Sequence, residues 1–488
     1  MSLKSSLMPL YRRSPAAVKN LFGTVYGHYL NYWRYGPRSE ALVHEALERE
    51  SWSAERWESW QGERLAALLH GAASNVPYYR EHWRARRARG DTSPVDRLEN
   101  WPLLDKSTLR ANAAALVAEH ASTRSMFKLE TSGTSGTPIT TWRSREALRQ
   151  WYALVEARWR RWYGVTRFDN WGILGGQEVA PVDQSDPPFW LWNGAGNQLY
   201  MSSLHLKPQN IPAYVRAMDD HEVVHLYGYS SSLAELARMA LDQGLKLPQM
   251  KAVVTNAEPL EPYQRTVMSE AFGPTVHSSY GMSEAVAAAS ECSDGALHLW
   301  PEVGVVEVFA DGSDERVPSG SAGRLVCTGL LNPDMPLIRY VVGDRGALEP
   351  SGSVPVACGC GRAMPRLARL EGRNVDNLVT ADGRKVFWVN PVLYGLPIAE
   401  GQIVQEAVDR IVVNVVPAAG FDDGTKSEIT DRLRLRLGPI DVTFKTVDAI
   451  PRGANGKFRA VINQVPSSAG STGSSGSTAA AASSGTTE

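Results

Sequence analysis

Residues Leu129 to Pro138 read Leu-Glu-Thr-Ser-Gly-Thr-Ser-Gly-Thr-Pro. Small hydroxyl side chains alternating with glycine bury almost no apolar area, so this stretch builds no core. It suits a tight loop whose backbone N–H groups and hydroxyls converge on an anion such as a polyphosphate. It holds no lysine and no Gly-Lys-Ser/Thr closes it, which separates it from the P-loop of kinases and GTPases. Four further motifs follow in order. Tyr280-Gly-Met-Ser-Glu284 comes after an apolar run and places a ring, a hydroxyl and a carboxylate at the carboxyl end of a strand, where open α/β sheets bind ligands. Tyr280 suits stacking on a purine, Ser283 suits a phosphate oxygen, and Glu284 suits a Mg²⁺ that bridges phosphates. Asn256-Ala-Glu-Pro259, also after an apolar run, lines the same crevice. Tyr340-Val-Val-Gly-Asp344 offers a carboxylate able to accept from both hydroxyls of a ribose. Pro451-Arg-Gly-Ala-Asn-Gly-Lys457-Phe-Arg459 sets a lysine on a glycine turn near the end of the chain.

A second group of residues reads as a metal site. His298 lies six positions after Cys292, and Cys358-Gly-Cys360 follows. Two adjacent-but-one cysteines do not readily form their own disulfide, whereas Cys-x₅-His with Cys-x-Cys supplies the four N/S ligands of a closed structural Zn²⁺ site. Cys327 reads as an ordinary buried thiol.

The elements that must hold these groups follow from periodicity. Ser51 to Ser74 and Ser144 to Tyr163 have helical spacing, and a short Arg-rich helix runs from Asn75-Val-Pro-Tyr-Tyr to about Arg87. Apolar runs at Trp171–Leu174, Val223–Tyr227, Ala252–Thr255 and Val276–Ser279 read as buried strands, with helices at Leu233–Leu241 and Pro262–Phe272 between them. Strands alternating with helices imply a parallel sheet covered on both faces. Leu297–Phe309 and Gly323–Gly329 read as antiparallel β forming a subdomain. Beyond Leu378, strands at Val386–Val389, Arg410–Val416 and Val442–Val447 with a helix near Ser427–Leu437 make a small α+β unit. The expected division is a helical layer at 1–90, a core at 91–373, a C-terminal α+β lid at 374–465 and a Ser/Gly/Thr/Ala tail without core-forming residues at 466–488. The 488-residue chain has 43% hydrophobic and 21% charged residues and a net charge of −1, which excludes a uniformly basic nucleic-acid binder. Without an apolar run of about 18 residues or a cleavable signal, a cytoplasmic location is expected. The first 39 residues hold Lys4, Arg12, Arg13, Lys19, Arg34 and Arg38 but no acid, interleaved with aromatics. Such a segment suits either packing on its own protein or peripheral contact with an anionic membrane.

Thr131–Pro138, Tyr280–Glu284, Tyr340–Asp344, Gly372-Arg373 and Gly456-Lys457 resemble the core motifs of the adenylate-forming superfamily of acyl-CoA synthetases, peptide-synthetase adenylation domains and luciferases. Asn75-Val-Pro-Tyr-Tyr, Asn-Ala-Glu-Pro and the Met-Ser-Glu ending are similar to the phenylacetate–CoA ligase branch. The long basic N-terminus is similar to that of members encoded with capsular-polysaccharide biosynthesis genes. The resemblance spans roughly residues 40 to 465. It implies an α/β fold: a large N-terminal domain of parallel and mixed sheets covered by helices, a β subdomain, and a small mobile α+β lid.

The resemblance also implies roles. Thr131, Ser132, Gly133, Thr134, Ser135, Gly136 and Thr137 would hold the β- and γ-phosphates of ATP. Ala257, Glu258, Pro259, Tyr280 and Gly281 would border the adenine. Ser283 would meet the α-phosphate, Glu284 the Mg²⁺, and Asp344 with Arg373 the ribose. Lys457 on the lid would reach the α-phosphate and the attacking carboxylate. Cys292, His298, Cys358 and Cys360 match positions at which some relatives carry zinc. Val375 stands where the family has an acidic or lysine hinge residue, with Asp376 next to it. The acid would lie between Trp171–Gln177, Tyr227-Gly-Tyr-Ser-Ser231 and the loop before Tyr280. The expected activity is ATP-dependent formation of an acyl-adenylate from a small carboxylic acid, followed by transfer to CoA or a separate carrier thiol. The alternatives are an adenylyl transferase that stops at the AMP adduct and a catalytically idle scaffold in surface-polysaccharide assembly.

Overall fold

The computed structural model describes residues 14–131, 139–176, 179–181, 183–257, 260, 262–273, 276–310, 313–350, 358–372, 378–386, 389–393, 395–448, 450 and 461–465. The helices among them are α1 (Ala16–Arg34), α2 (Ser39–Glu48), α3 (Ala54–Asn75), α4 (Pro77–Ala88), α5 (Lys106–Ala111), α6 (Arg145–Trp159), α7 (Ile211–Asp220), α8 (Ser230–Asp242), α9 (Pro262–Phe272) and α10 (Asp423–Leu437). At α3, α5, α6 and α10 a side chain satisfies a first-turn N–H group. Ser53 accepts from Arg56 N, Ser144 from Ala147 N and Asp422 from Thr425 N. Pro77 ends α3 and opens α4, since a proline is tolerated only in a helix's first turn.

Two strands form a separate hairpin, β1 (Phe127–Thr131) and β2 (Ile139–Arg143), paired antiparallel. Twelve more make the main sheet: β3 (Trp171–Gly175), β4 (Trp190–Asn193), β5 (Gln198–Ser202), β6 (His225–Tyr229), β7 (Ala252–Asn256), β8 (Val276–Gly281), β9 (Ala288–Glu291), β10 (Leu297–Leu299), β11 (Gly304–Phe309), β12 (Gly323–Gly329), β13 (Tyr340–Leu348) and β14 (Arg366–Gly372). Their order is β11-β12-β13-β14-β10-β9-β8-β7-β6-β3-β5-β4. The run β5, β3, β6, β7, β8 is parallel, with α8 and α9 as crossovers, and everything beyond β8 is antiparallel. The β region expected as a subdomain is therefore continuous with the parallel half through β8. The expected Leu297–Phe309 stretch is broken into β10 and β11 by the turn around Pro301, and the strand expected from Val223 begins at His225.

One core packs Leu174, Leu226 and Val253 of the sheet against Tyr214, Leu233 and Phe272 of the helices. Behind the other face lie Trp151, Ala157 and Trp300. Gly228 has to be glycine here, because a Cβ would stand 2.3 Å from the carbonyl oxygen of Leu174. The C-terminal unit begins with the short hairpin β15 (Leu378–Val379) and β16 (Lys385–Val386). Its sheet comprises β17 (Ile398–Ala407), β18 (Arg410–Pro417), β19 (Asp441–Thr446) and β20 (Val461–Asn463), in the order β19-β18-β17-β20. Ile429 and Leu433 of α10 pack on it, and Leu204 of the large domain joins the same cluster. Arg384 ties the two together by donating to the carbonyls of Leu204 and Arg436, both at 3.0 Å.

Candidate active site

The Thr131↔Ile139 register makes residues 132–138 the connection between β1 and β2, so the hydroxyl-rich loop hangs from a paired stem. The loop lies outside the described residues. On β2, Ile139, Thr141 and Arg143 face inward by strand alternation. Arg143 is buried and donates to the carbonyl oxygen of Ser283, with its guanidinium 5.8 Å from the Trp151 ring centre. Burial pushes its pKa down to about 10, opposed by the negative ends of Tyr152 and Glu284. It stays cationic at neutral pH, at the root of the loop and beside the Tyr-Gly-Met-Ser-Glu motif.

Two tyrosine hydroxyls set the two carboxylates of the site. Tyr280, on β8, donates to Asp344 Oδ2 at 2.9 Å, and Tyr340, on β13, donates to Glu284 Oε1 at 2.9 Å. The bonds are reciprocal: each motif supplies the donor for the other's acid. β13 stands four places from β8 in the sheet, about 19 Å in a flat sheet at ~4.8 Å per strand. The antiparallel half must therefore curl over to close this gap. Hydrogen bonds to an ionised carboxylate are the stronger kind, and they fix the acids' orientation. A carboxylate has about four acceptor positions, so one tyrosine bond leaves capacity on Glu284 for a cation or water.

Five described non-glycine residues have a left-handed backbone, and three of them adjoin these motifs: Ala257 (φ 64°), Ala285 (φ 48°) and Arg339 (φ 49°). Such conformations cost about 1–3 kcal/mol and persist only where surrounding structure enforces them. Ala257 follows β7 at the carboxyl end of the parallel strands, Ala285 follows Glu284, and Arg339 precedes Tyr340. The buried Arg339 is held by Glu307 Oε2 at 3.2 Å and the Trp101 carbonyl at 2.9 Å.

The structure thus brings together Tyr280, Glu284 and Asp344 from the expected set. The Tyr280 ring is packed in the core with 7% exposure, while Gly281 and Ser283 are exposed. Glu258, Pro259, Arg373, Val375, Asp376 and Lys457 lie outside the described residues, as do Ser132 to Thr137 and the side chain of Thr131. Sequence reasoning gave no role to Arg143, whose signal was an arginine on the inward register of a strand that follows a glycine loop. It also gave none to the Tyr340 hydroxyl.

Next to Tyr280 the wall is aromatic. The Trp159 and Tyr227 ring centres are 5.7 Å apart, Trp159 and Trp300 5.0 Å, and a Cβ on Gly281 would touch Trp159 at 3.5 Å. Burial raises the Tyr227 phenol well above its usual range, and it shares hydrogen bonds with Asn256 and Ser279. Trp171 instead stacks on His225 and donates to the Gly196 carbonyl at 2.9 Å. Trp159, on α6, was missing from the sequence reading because its spacing marks it only as a core-facing helical residue.

The four expected metal ligands converge. The ligand atoms of Cys292, His298, Cys358 and Cys360 all lie within 4.8 Å of one another. Cys292 Sγ to Cys358 Sγ is 3.7 Å and Cys360 Sγ to His298 Nε2 is 3.4 Å. Two thiolates at ~2.3 Å from a tetrahedral zinc stand about 3.8 Å apart, so the donor set fits that ion. His298 Nδ1 donates to the Met364 carbonyl at 3.3 Å, which leaves Nε2 with its lone pair toward the sulfurs. Burial pushes His298 down to about 4 and Cys292 up to about 11. Arg362 braces the loop by stacking on Trp162 at 4.0 Å and pairing with Glu50 at 3.0 Å. Cys327 is fully buried on β12, apart from the cluster.

Residues 378–464 match the family model described as the CapK C-terminal domain. The chain is 25% identical over 466 residues to Protein CapK of Staphylococcus aureus, covering 93% of this chain and 99% of that protein. It is 32% identical over 266 residues to the phenylacetate-coenzyme A ligase of Thermus thermophilus, covering 48% and 58% of the two chains. Over 342 residues it is 26% identical to the enzyme of that name from Aromatoleum evansii, covering 68% and 73%. Among solved structures, 2-hydroxyisobutyryl-CoA ligase in complex with 2-HIB-AMP and CoA, in the thioesterification state, superposes with a TM-score of 0.55 at 22% identity. The match covers 86% of this chain and 91% of that one. The fold is that of an adenylate-forming ligase.

Proposed function

We propose that this chain, a homologue of CapK and of the phenylacetate–coenzyme A ligases, activates a carboxylic acid as its acyl-adenylate and passes the acyl group to a thiol, CoA in the first instance. The observation that carries the reading is the reciprocal pair Tyr280–Asp344 and Tyr340–Glu284, set beside the stem of the hydroxyl-rich loop. In the first step a carboxylate oxygen of the acid attacks the α-phosphorus of ATP. The bond to the bridging oxygen breaks, and pyrophosphate leaves with that electron pair. In the second, a thiolate attacks the acyl carbon, the C–O bond to phosphate breaks, and AMP leaves.

No protein group has to carry a proton in the first step, so catalysis rests on positioning and on cations aimed at developing charge. Thr131 to Thr137 receive the β- and γ-phosphates, with Arg143 adding positive potential at the loop's root. Ser283 borders the α-phosphate. Glu284 would hold Mg²⁺, which would supply positive charge against the phosphate oxygens. Asp344, held by Tyr280, accepts from the ribose hydroxyls together with Arg373, and Ala257, Glu258, Pro259 and Gly281 border the adenine. Lys457 arrives on the mobile C-terminal lid, and lid movement separates the two steps. The acid lies along Trp159, Tyr227 and Gly281, a wall suited to an aromatic or compact apolar acyl group. Cys292, His298, Cys358 and Cys360 hold a structural Zn²⁺ that closes the loop between β14 and the strands before it.

The test is AMP release from ATP over a panel of aryl, fatty, amino and sugar acids, with and without CoA. Acid-dependent AMP release that needs CoA supports the full reaction. Stoichiometric adenylate formation with CoA making no difference would favour an enzyme that stops at the AMP adduct.

A further inference from the structure

Helix α1 is mounted with its polar side inward. At ~100° per residue, Asn20, Gly23, Thr24, Gly27 and Asn31 share one side of it. That side packs on the edge strand β4 and the turn after it. Asn20 Oδ1 accepts from Trp192 N at 2.9 Å, Thr24 Oγ1 from Gly194 N at 3.0 Å, and Asn31 donates to the Ala195 carbonyl at 2.6 Å. Contact is so close that a Cβ on Gly27 would overlap Asn193 Oδ1 at 2.1 Å. The opposite side carries Leu21, Phe22, Val25, Tyr26, Tyr29 and Tyr32, between 49% and 63% exposed. A helix of a water-facing protein ordinarily buries such a stripe. Apart from Phe168, these are all the exposed large hydrophobic residues among those described.

Charge says what covers the stripe. Residues 1–39 contain six lysines and arginines and no acid; Lys19 is buried and Arg34 lies over the Tyr152 ring, while Lys4, Arg12 and Arg13 precede the helix in sequence and Arg38 follows it. No described helix is long and apolar enough to cross a bilayer. We infer that α1 is a docking helix for an anionic lipid surface, lying in the plane of the interface with its apolar stripe in the acyl boundary. Leu21 and Val25 enter the apolar layer, Tyr26 and Tyr29 sit at headgroup level, and the excess positive charge of residues 1–39 favours an anionic lipid face. Tyr29 and Trp33 also contact Phe127 on β1, with ring centres 6.4 and 5.5 Å apart. The membrane-facing helix thus abuts the stem of the phosphate loop, which would open the site close to the lipid surface.

The test is co-sedimentation of the full chain with vesicles of phosphatidylglycerol and phosphatidylcholine, against phosphatidylcholine alone. Binding to the anionic vesicles is expected, weakening as salt is raised from ~50 mM to ~0.5 M because the Debye length contracts. The double variant Leu21→Glu, Val25→Glu should bind at least ~10-fold more weakly, with thermal unfolding and solution AMP release unchanged. The proposal is overturned by absence of binding to anionic vesicles or by equal binding of the double variant. It is equally overturned by a concentration-dependent dimer that the double variant abolishes, which would assign the stripe to a second copy. Binding that appears only after deletion of residues 2–13 would instead mean that this segment covers the stripe.

Discussion

Two clusters in this molecule are assembled from residues far apart in sequence, and they differ in what they leave open. At the cluster proposed to bind the nucleotide, Glu284 and Asp344 are each oriented by a tyrosine hydroxyl, beside an exposed Ser283. At the cysteine–histidine cluster, four ligand atoms lie within 4.8 Å of one another, and the histidine's second nitrogen is already bonded. Oriented acceptors with spare capacity suit a group that must come and go; a closed donor set suits an ion that stays. The same sheet frames both: Cys292 follows β9, His298 is on β10 and Cys358 and Cys360 precede β14, while Glu284 lies just after β8 and Asp344 on β13, the strands on either side of that group.

The comparison breaks most visibly at the metal. Replacing Cys358 and Cys360 together with Ser should take bound zinc from about one ion per chain to none and lower stability by several kcal/mol, read by metal analysis and thermal unfolding. Retention of zinc, or none in protein purified without chelator, would remove the cluster from the account. Glu284→Gln should do the reverse, lowering kcat/KM about 10²–10³-fold with the unfolding temperature little changed. Tyr280→Phe sharpens the distinction further. It leaves the carboxylate but releases its orientation, so a rise in KM for ATP and a loss near ~10-fold, about 1.4 kcal/mol, are expected from steady-state kinetics.

The smallest effect is on pH dependence. Burial pushes His225, stacked on Trp171, down to about 3, while an unfolded imidazole titrates near 6.5. Below ~6.5 the unfolded chain therefore takes up a proton that the folded one does not. Stability present above that pH is lost as pH falls from about 6.5 toward 3, at up to ~1.4 kcal/mol per pH unit for this one group. Denaturant titrations of His225→Gln should show a shallower fall over that window.

Much of this was legible in the sequence because chemistry and pattern coincided there. The buried parallel strands are short unbroken apolar runs, and the four residues of the cysteine–histidine cluster stood out by type and spacing. The strands β13 and β17 escaped because they interleave polar residues: Gly343, Asp344 and Arg345 in one, Glu400, Gly401 and Gln402 in the other. The roles of Tyr340 and Arg143 could not be read from the sequence, since each depends on a partner more than fifty residues away and on the curl of the sheet. Of the aromatic wall beside Tyr280, Tyr227 was singled out in the sequence, whereas Trp159 comes from a helix whose sequence reads as generic core. The inward polar face of α1 was hidden for the opposite reason, as periodicity shows that a helix has two faces without showing which one the protein buries.

The central claim is that this site joins a carboxylate to the α-phosphate of ATP. The most direct measurement is acid-dependent ATP–pyrophosphate exchange by the intact chain and by Lys457→Ala over the same acid panel. The account predicts exchange with at least one acid and a loss of at least ~10²-fold in the variant. Undiminished exchange in Lys457→Ala, with the acid that supports it, would contradict the mechanism.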